Sequence, residues 1–295
     1  MELSMIDLTK RYKQKTALND FSLTLTSGVW GLLGPNGAGK TTMMNIVAGV
    51  LRRTSGSVLW NGEDIDAMGE RYRDILGYLP QEPGLYKDFT ARMFLRYMAA
   101  LKGVCCGRGE RRAREGMISE LLERVNLLGD ADGKIGAFSG GMKRRLGIAQ
   151  ALINDPRLLI LDEPTAGLDP QERVRFRNLL STIAFDKIVI WATHIVSDVE
   201  SISHEVILIR EGHLIGKGSA SALTEGLRGK VWTVSLPIGE ADDMRARCRV
   251  TGVTGGDREV ALRLISDVSP HPLAAPVDAN LEDLYLSVFG GRVDA

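Results

Sequence analysis

Residues 28–51 read GVWGLLGPNGAGKTTMMNIVAGVL. The stretch opens with a short unbroken apolar run, Val29–Leu33, which predicts a buried strand. A glycine-rich loop follows, and a helix is expected to begin near Lys40. Gly34-Pro35-Asn36-Gly37-Ala38-Gly39-Lys40-Thr41 fits the pattern G-x-x-x-x-G-K-[ST], and Thr42 extends it into the helix. Glycines let such a loop wrap backbone N–H groups around phosphate oxygens, in conformations that a Cβ forbids. The helix behind the loop points its positive N-terminal end at the same anion. Lys40 is then expected at the outer phosphates, with the Thr41 hydroxyl on Mg2+.

Further along, RLLILDEP (157–164) and DKIVIWATH (186–194) are apolar runs that each end in polar residues. QERVRFRNLLSTIA (171–184) between them has helical spacing. Strand, helix and strand with unbroken apolar strands predict a parallel sheet covered on both faces. Ligands of such sheets bind outside the carboxyl ends of the strands. Asp162, Glu163 and His194 are therefore expected beside the phosphate loop. Two adjacent acids there can divide the work, Asp162 on the metal side and Glu163 as the base that polarises water. Taken alone, an Asp-Glu pair is a solvated turn and a strand-end histidine is structural. The shared sheet edge is what gives them a role.

The remaining pattern frames this core. SVLW (57–60) and ILGYL (75–79) read as strands, residues from about 90 to 150 as helical, and HEVILIREGHLIGKGS (204–219) as a hairpin with a Glu-Gly turn. After about Leu227 the character changes. VWTVSL (231–236) and EVALRLI (259–265) read as strands flanking a charged stretch, and LEDLYLSVFG (281–290) as an amphipathic terminal helix. Residues 228–295 are accordingly expected to form a small appended α/β unit.

Composition narrows the class. At 44% hydrophobic and 25% charged residues, the 295-residue chain has the make-up of a soluble globular protein. Zero formal net charge argues against global attraction to nucleic acid or anionic lipid. Cys105, Cys106 and Cys248 have no zinc spacing and are too few for a disulfide framework, which fits a reducing compartment. The N-terminus has no apolar signal core, and no apolar run approaches the ~18 residues of a membrane helix.

FSGGMKRR (138–145) places Ser139, Gly140 and Gly141 at the start of a basic helix. This is a second anion-binding helix start, with Ser139 as cap and ligand. In isolation it is a helix cap.

Together, these elements resemble the nucleotide-binding subunits of ABC transporters in order and spacing, over about residues 1–220. GPNGAGKT is the phosphate loop, Gln81 in YLPQEPGLY is placed like the Q-loop glutamine, and FSGGM resembles the signature motif. LILDEP resembles the second phosphate-loop partner strand, GLDP (167–170) the D-loop, and ATH the switch histidine. Tyr12 is placed like the aromatic residue that stacks on adenine. MKRRL, THIVSDVES and LEDLYL are similar to the ABC-2, drug-resistance-type export group. Three positions depart from the common pattern: Met142 stands where many members have Gln, Phe138 where Leu is usual, and Trp191 where a smaller residue is usual.

The resemblance implies an α/β fold: a P-loop NTPase ABC cassette at 1–227, with a mixed sheet core and a helical subdomain at about 90–150, followed by the C-terminal accessory unit. It implies a Mg2+-dependent ATPase that powers transport, in the export direction, through a separately encoded transmembrane permease. Thr41, Gln81 and Asp162 would surround Mg2+, and Glu163, His194 and Gln81 would act on the γ-phosphate end of ATP. Two cassettes pack head to tail in this family, so Ser139–Gly141 would close on ATP held by a second chain, in a homodimer at the cytoplasmic face of the plasma membrane. The alternative is a soluble ABC-type ATPase acting on nucleic acid or ribosomes. Such proteins usually fuse two cassettes or carry a coiled coil or zinc module. This chain has one cassette, no heptad run and neutral charge, and no nucleic-acid partner is expected. The tail could also serve as a regulatory or dimerisation module, for which packing against the twin chain is the plain expectation.

Overall fold

The computed structural model describes residues 1–104, 107, 109–256 and 259–290, so Cys105 and Cys106 lie outside the described residues. The chain opens with the hairpin β1 (Glu2–Tyr12) and β2 (Lys15–Thr26), then β3 (Gly28–Leu33) and α1 (Lys40–Val47). Next come β4 (Ser55–Trp60), β5 (Glu63–Asp64), α2 (Ile65–Met68), α3 (Glu70–Ile75) and β6 (Leu76–Leu79). The helical stretch holds α4 (Ala91–Leu101), α5 (Arg111–Arg124) and α6 (Gly140–Ala151). The chain then returns through β7 (Leu158–Asp162), α7 (Pro170–Ile183), β8 (Ile188–Ala192), α8 (Val196–Ile202), β9 (Glu205–Arg210), β10 (His213–Gly218) and α9 (Ala220–Thr224). The tail contains β11 (Val231–Pro237), α10 (Ile238–Arg247), β12 (Arg249–Gly255), β13 (Glu259–Ile265), β14 (Ala275–Pro276) and α11 (Leu281–Phe289).

Three sheets result. The central one has the order β10-β9-β3-β8-β7-β6, parallel except for β10, which closes a hairpin on β9. The turn of that hairpin is the expected Glu-Gly pair, with φ of 52° at Glu211 and 80° at Gly212. Every residue of β7 and β8 is buried, which accounts for their unbroken apolar runs. An antiparallel sheet, β2-β1-β4-β5, encloses a core with α1 and one face of the central sheet. On the other face, α4, α5, α6 and α7 bury Phe94, Leu122, Leu146 and Phe176 in one cluster. The bulky Trp191 belongs to this cluster: it is fully buried, edge-on to Phe176 at 5.6 Å. Phe138 is buried there too, and Met142 packs against the cluster, so both residues have apolar surroundings.

The tail is a four-stranded antiparallel sheet, β12-β13-β11-β14, with α10 over a small core around Val234, Leu236, Leu262 and Leu264. β12 was not among the expected strands; its two glycines weaken the local signal, and pairing with β13 supplies the rest. α11 returns to the central sheet, where Leu281 and Leu284 pack against Leu33, Val199 and Leu208. Its N-terminus is a capping box between Asn280 and Asp283. The fully buried Asp283 also accepts from Thr251 at 2.6 Å and from Arg263 Nη2 at 2.6 Å, joining α11 to the tail sheet.

Candidate functional site

Strand register places the chemistry. Leu32 of β3 and Asp162 of β7 both pair with Ala192 of β8, so the three carboxyl ends stand level. The phosphate loop leaves β3, Glu163 leaves β7 and His194 leaves β8 from that one edge. Glu163 takes a φ of 52°, a left-handed conformation unusual for a side-chain-bearing residue, while its N–H donates to the Ala192 carbonyl at 2.8 Å. The bend aims its carboxylate along the edge, where Oε2 meets His194 Nδ1 at 2.8 Å. A carboxylate can only accept, so Nδ1 carries the proton in this contact and Nε2 is the nitrogen left for another partner.

The phosphate loop is built as its pattern predicts. Gly37 and Gly39 have φ of 78° and 108°, and a Cβ on Gly34 would collide with the Ile209 carbonyl. Gly39 caps α1 with no side-chain bond, so the first N–H groups of the helix have no side-chain acceptor at the cap. Lys40 Nζ donates to the carbonyls of Gly34 and Pro35 at 2.6 and 3.0 Å. Burial lowers the Lys40 pKa, while the carboxylates of Glu163 and Asp162 oppose that shift.

One cleft of about 260 Å3 gathers Tyr12, Asn36–Thr42, Gln81, Asp162 and Glu163. Gly34 and Pro35 lie behind it as carbonyl partners of Lys40, and His194 reaches it through Glu163. Lys15 and Ala17 also line the cleft and were not singled out from the sequence. Lys15 arrives because it is the cross-strand partner of Tyr12 at the tip of the β1–β2 hairpin. Basic composition near Tyr12 was its one signal.

The residues fit a Mg2+ ion. Asp162 is buried, lines the cleft with Thr41, and leaves Oδ2 buried without a protein partner. A buried carboxylate oxygen without a donor is costly unless a cation takes it. Burial is also the main reason that the Asp162 pKa is raised. Among the described residues no cluster of three or more His, Cys, Asp or Glu could hold a metal. Thr41, Gln81 and Asp162 line the same cleft and would hold Mg2+ together with the phosphates it neutralises.

Ser139, Gly140 and Gly141 lie elsewhere. Ser139 is exposed and caps α6, accepting from the Met142 N–H at 3.2 Å. Gly140 borders a separate hollow of about 350 Å3 with Gln81, Lys143, Arg144, Ala166 and Gly167. None of the three signature residues lines the cleft that holds the phosphate loop of their own chain.

The fold and the cleft define a P-loop ATPase cassette. Residues 18–166 match the family model described as ABC transporter. The chain is 35% identical over 301 residues to the Nod factor export ATP-binding protein I of Burkholderia lata, covering 96% of this chain and 95% of that one. Among solved structures it is similar to an ATP binding subunit of an ABC transporter, with a TM-score of 0.69 and 26% identity over 77% of this chain and 93% of that one. It is also similar to the cassette MJ0796 in a dimeric post-hydrolysis state bound to ADP and Pi, with a TM-score of 0.67 and 25% identity over 74% of this chain and 98% of that one. The chain belongs to the ABC transporter family and is an ATP-binding, ATP-hydrolysing transporter subunit.

Proposed function

We propose that this subunit drives a separately encoded membrane permease by closing with a second copy of itself around two ATP molecules. The carrying observation is the separation of parts: the phosphate loop and acids line one cleft, while the signature residues sit on another surface of the same chain. A site that needs both is completed by two chains. In this reading Tyr12 stacks on the base, Gly34 to Thr42 hold the phosphates, and Thr41, Gln81 and Asp162 hold Mg2+, which offsets phosphate charge. Glu163 takes the proton of the attacking water, His194 meets the γ-phosphate, and the partner's Ser139 closes over it. Bound ATP draws the cassettes together, and its cleavage removes the charge that bridges them.

The Gln81 segment would pass nucleotide state to the permease. Pro80, Gly84 and Tyr86 line an open cleft of about 730 Å3 with Tyr97, Met98 and Leu101, next to the nucleotide cleft that Gln81 borders. A cytoplasmic helix of the permease with an apolar face fits such a groove. No helix among the described residues is long and apolar enough to cross a membrane, which suits a subunit attached at the cytoplasmic face. Similarity to an export protein supports outward transport. Residues 228–295 would then be an accessory unit that packs on its cassette and lies near its twin.

The test is the Mg2+-ATPase rate of the purified chain against its own concentration. Specific activity should rise with concentration, and Ser139→Ala should lower it. Glu163→Gln should cost roughly 10²- to 10⁴-fold in rate while retaining ATP. A flat profile that Ser139→Ala leaves unchanged would sink the two-chain reading, and parent activity in Glu163→Gln would remove its role as base.

A further inference from the structure

α6 is seated on β6 by a glycine from each side. A Cβ on Gly77 would collide with the Ala151 carbonyl, and one on Gly147 would lie 2.6 Å from Leu79 Cδ1 and 3.4 Å from Pro83 Cβ. The helix and strand approach more closely than larger residues permit, so α6 and the strand end leading to Pro80 and Gln81 shift together. Arg144 lies three residues before Gly147, on the same helix face. Its Nη1 donates to the Pro80 carbonyl at 3.2 Å.

The adjacent Arg145 turns the other way. It donates to the Val125 and Asn126 carbonyls at 3.3 and 2.6 Å and pairs with Glu172 at 3.6 Å. Arg145 therefore secures the joint between α5, α6 and α7. Arg144 takes no part in that joint, and one carbonyl occupies one of its five N–H donors. Burial lowers its pKa, and the carboxylates of Glu163 and Asp162 oppose that shift as they do for Lys40. Arg144 also lines the hollow of about 350 Å3 that Gln81 and Gly140 border.

We propose that Arg144 is a positioning residue for hydrolysis, tying the Gln81 segment to the helix whose N-terminal end serves the second cassette's nucleotide. This rests on the two-chain reading above. Its consequence is coupling: movement of α6 against the partner's ATP moves the guanidinium, and with it the Pro80–Gln81 backbone. Lysine here would keep the charge without the planar fork, and glutamine would keep a donor without the charge.

Steady-state ATPase of the full chain against ATP, at one high protein concentration, separates kcat, KM and the Hill coefficient for the parent, Arg144→Gln and Arg144→Lys. The parent should be cooperative. Arg144→Gln should lose about tenfold in kcat with KM within about twofold, because the contact acts on the reacting arrangement and not on ground-state binding. Its Hill coefficient should fall towards one, its melting temperature should stay within about 2 °C, and Arg144→Lys should recover part of kcat. A non-cooperative parent, parent kcat and Hill coefficient in Arg144→Gln, or a joint shift of KM and melting temperature overturns the proposal. Should the glutamine variant fail to fold, the lysine variant decides. Lowered kcat and cooperativity at normal KM then support the role, and parent values overturn it. ATP-driven dimerisation of Glu163→Gln, read by size-exclusion chromatography, checks the two-chain reading separately. A dimer there with parent kinetics in Arg144→Gln overturns the role of Arg144 alone.

Discussion

At the start of α1 the cap is Gly39, with a φ of 108° and no side-chain bond, and a Cβ there would lie 2.6 Å from the Ala17 carbonyl. At the start of α6 the cap is Ser139, in an extended conformation with its Oγ accepting from the Met142 N–H and its O–H left to donate. Space at Gly140 is open, with nothing within 4 Å of an added Cβ. Both stretches are glycine-rich helix starts, yet one is folded into its own chain's cleft and the other faces outward as a finished cap. α11 marks a third kind, where Asp283 accepts from the Asn280 N–H, Glu200 from the Leu281 N–H and Asn280 from the Asp283 N–H. What separates them is the count of N–H groups that the protein leaves for something else to bind.

The largest effect is expected at the first start. A side chain at a left-handed position costs about 1–2 kcal/mol before any collision, so Gly39→Ala should weaken ATP binding by about 5- to 30-fold in equilibrium titration, with the collision adding to that. Parent affinity in that variant would erase the contrast. At the α11 start, Asp283→Ala should cost about 3 kcal/mol in denaturant unfolding, at the lower end for a broken buried pair since Arg263 is partly exposed. ATP affinity should not change there, and a parallel loss of binding would make α11 part of the nucleotide region. Burial alone would raise the Asp283 pKa, but hydrogen bonds from Arg263, Thr251 and the Asn280 N–H outweigh it and hold the value below the ordinary range. Its contribution is therefore complete above about pH 4 and lost as pH falls through the lower native value. Parent-like acid unfolding in Asp283→Asn would contradict this.

The smallest effects are on stability. Ser139→Ala and Thr90→Ala each remove a hydroxyl cap of similar geometry, with bonds of 3.2 and 3.1 Å. Each should cost about 1 kcal/mol, or about 2–4 °C in melting temperature. Thr90→Ala should hydrolyse ATP at the parent rate and Ser139→Ala should not. Equal ATPase rates would reduce Ser139 to an ordinary cap.

How far each part could be read in advance follows from how local its physics is. The phosphate loop is one contiguous segment whose glycines, lysine and threonine act through neighbouring backbone, so its pattern carried both its structure and its ligand class. The buried strands β7 and β8 announced themselves as unbroken apolar runs, and the strand-end positions of Asp162, Glu163 and His194 followed from the parallel sheet they imply. The C-terminal strand β12 was invisible because its stability comes from pairing with β13. Trp191 looked like an anomaly until Phe176 of α7 was placed against it.

Pattern was enough for the phosphate-loop motif, and the resemblance carried by the motifs together was enough for the class of the protein. They did not contain the 2.8 Å contact between Glu163 and His194, the arrival of Lys15 beside Tyr12, the bond from Arg144 to Pro80, or the return of α11 to α8. Each joins residues far apart in the chain or across a hairpin tip. Strand register, close glycine packing and burial bring them together, and none of these leaves a mark in the local sequence of either partner.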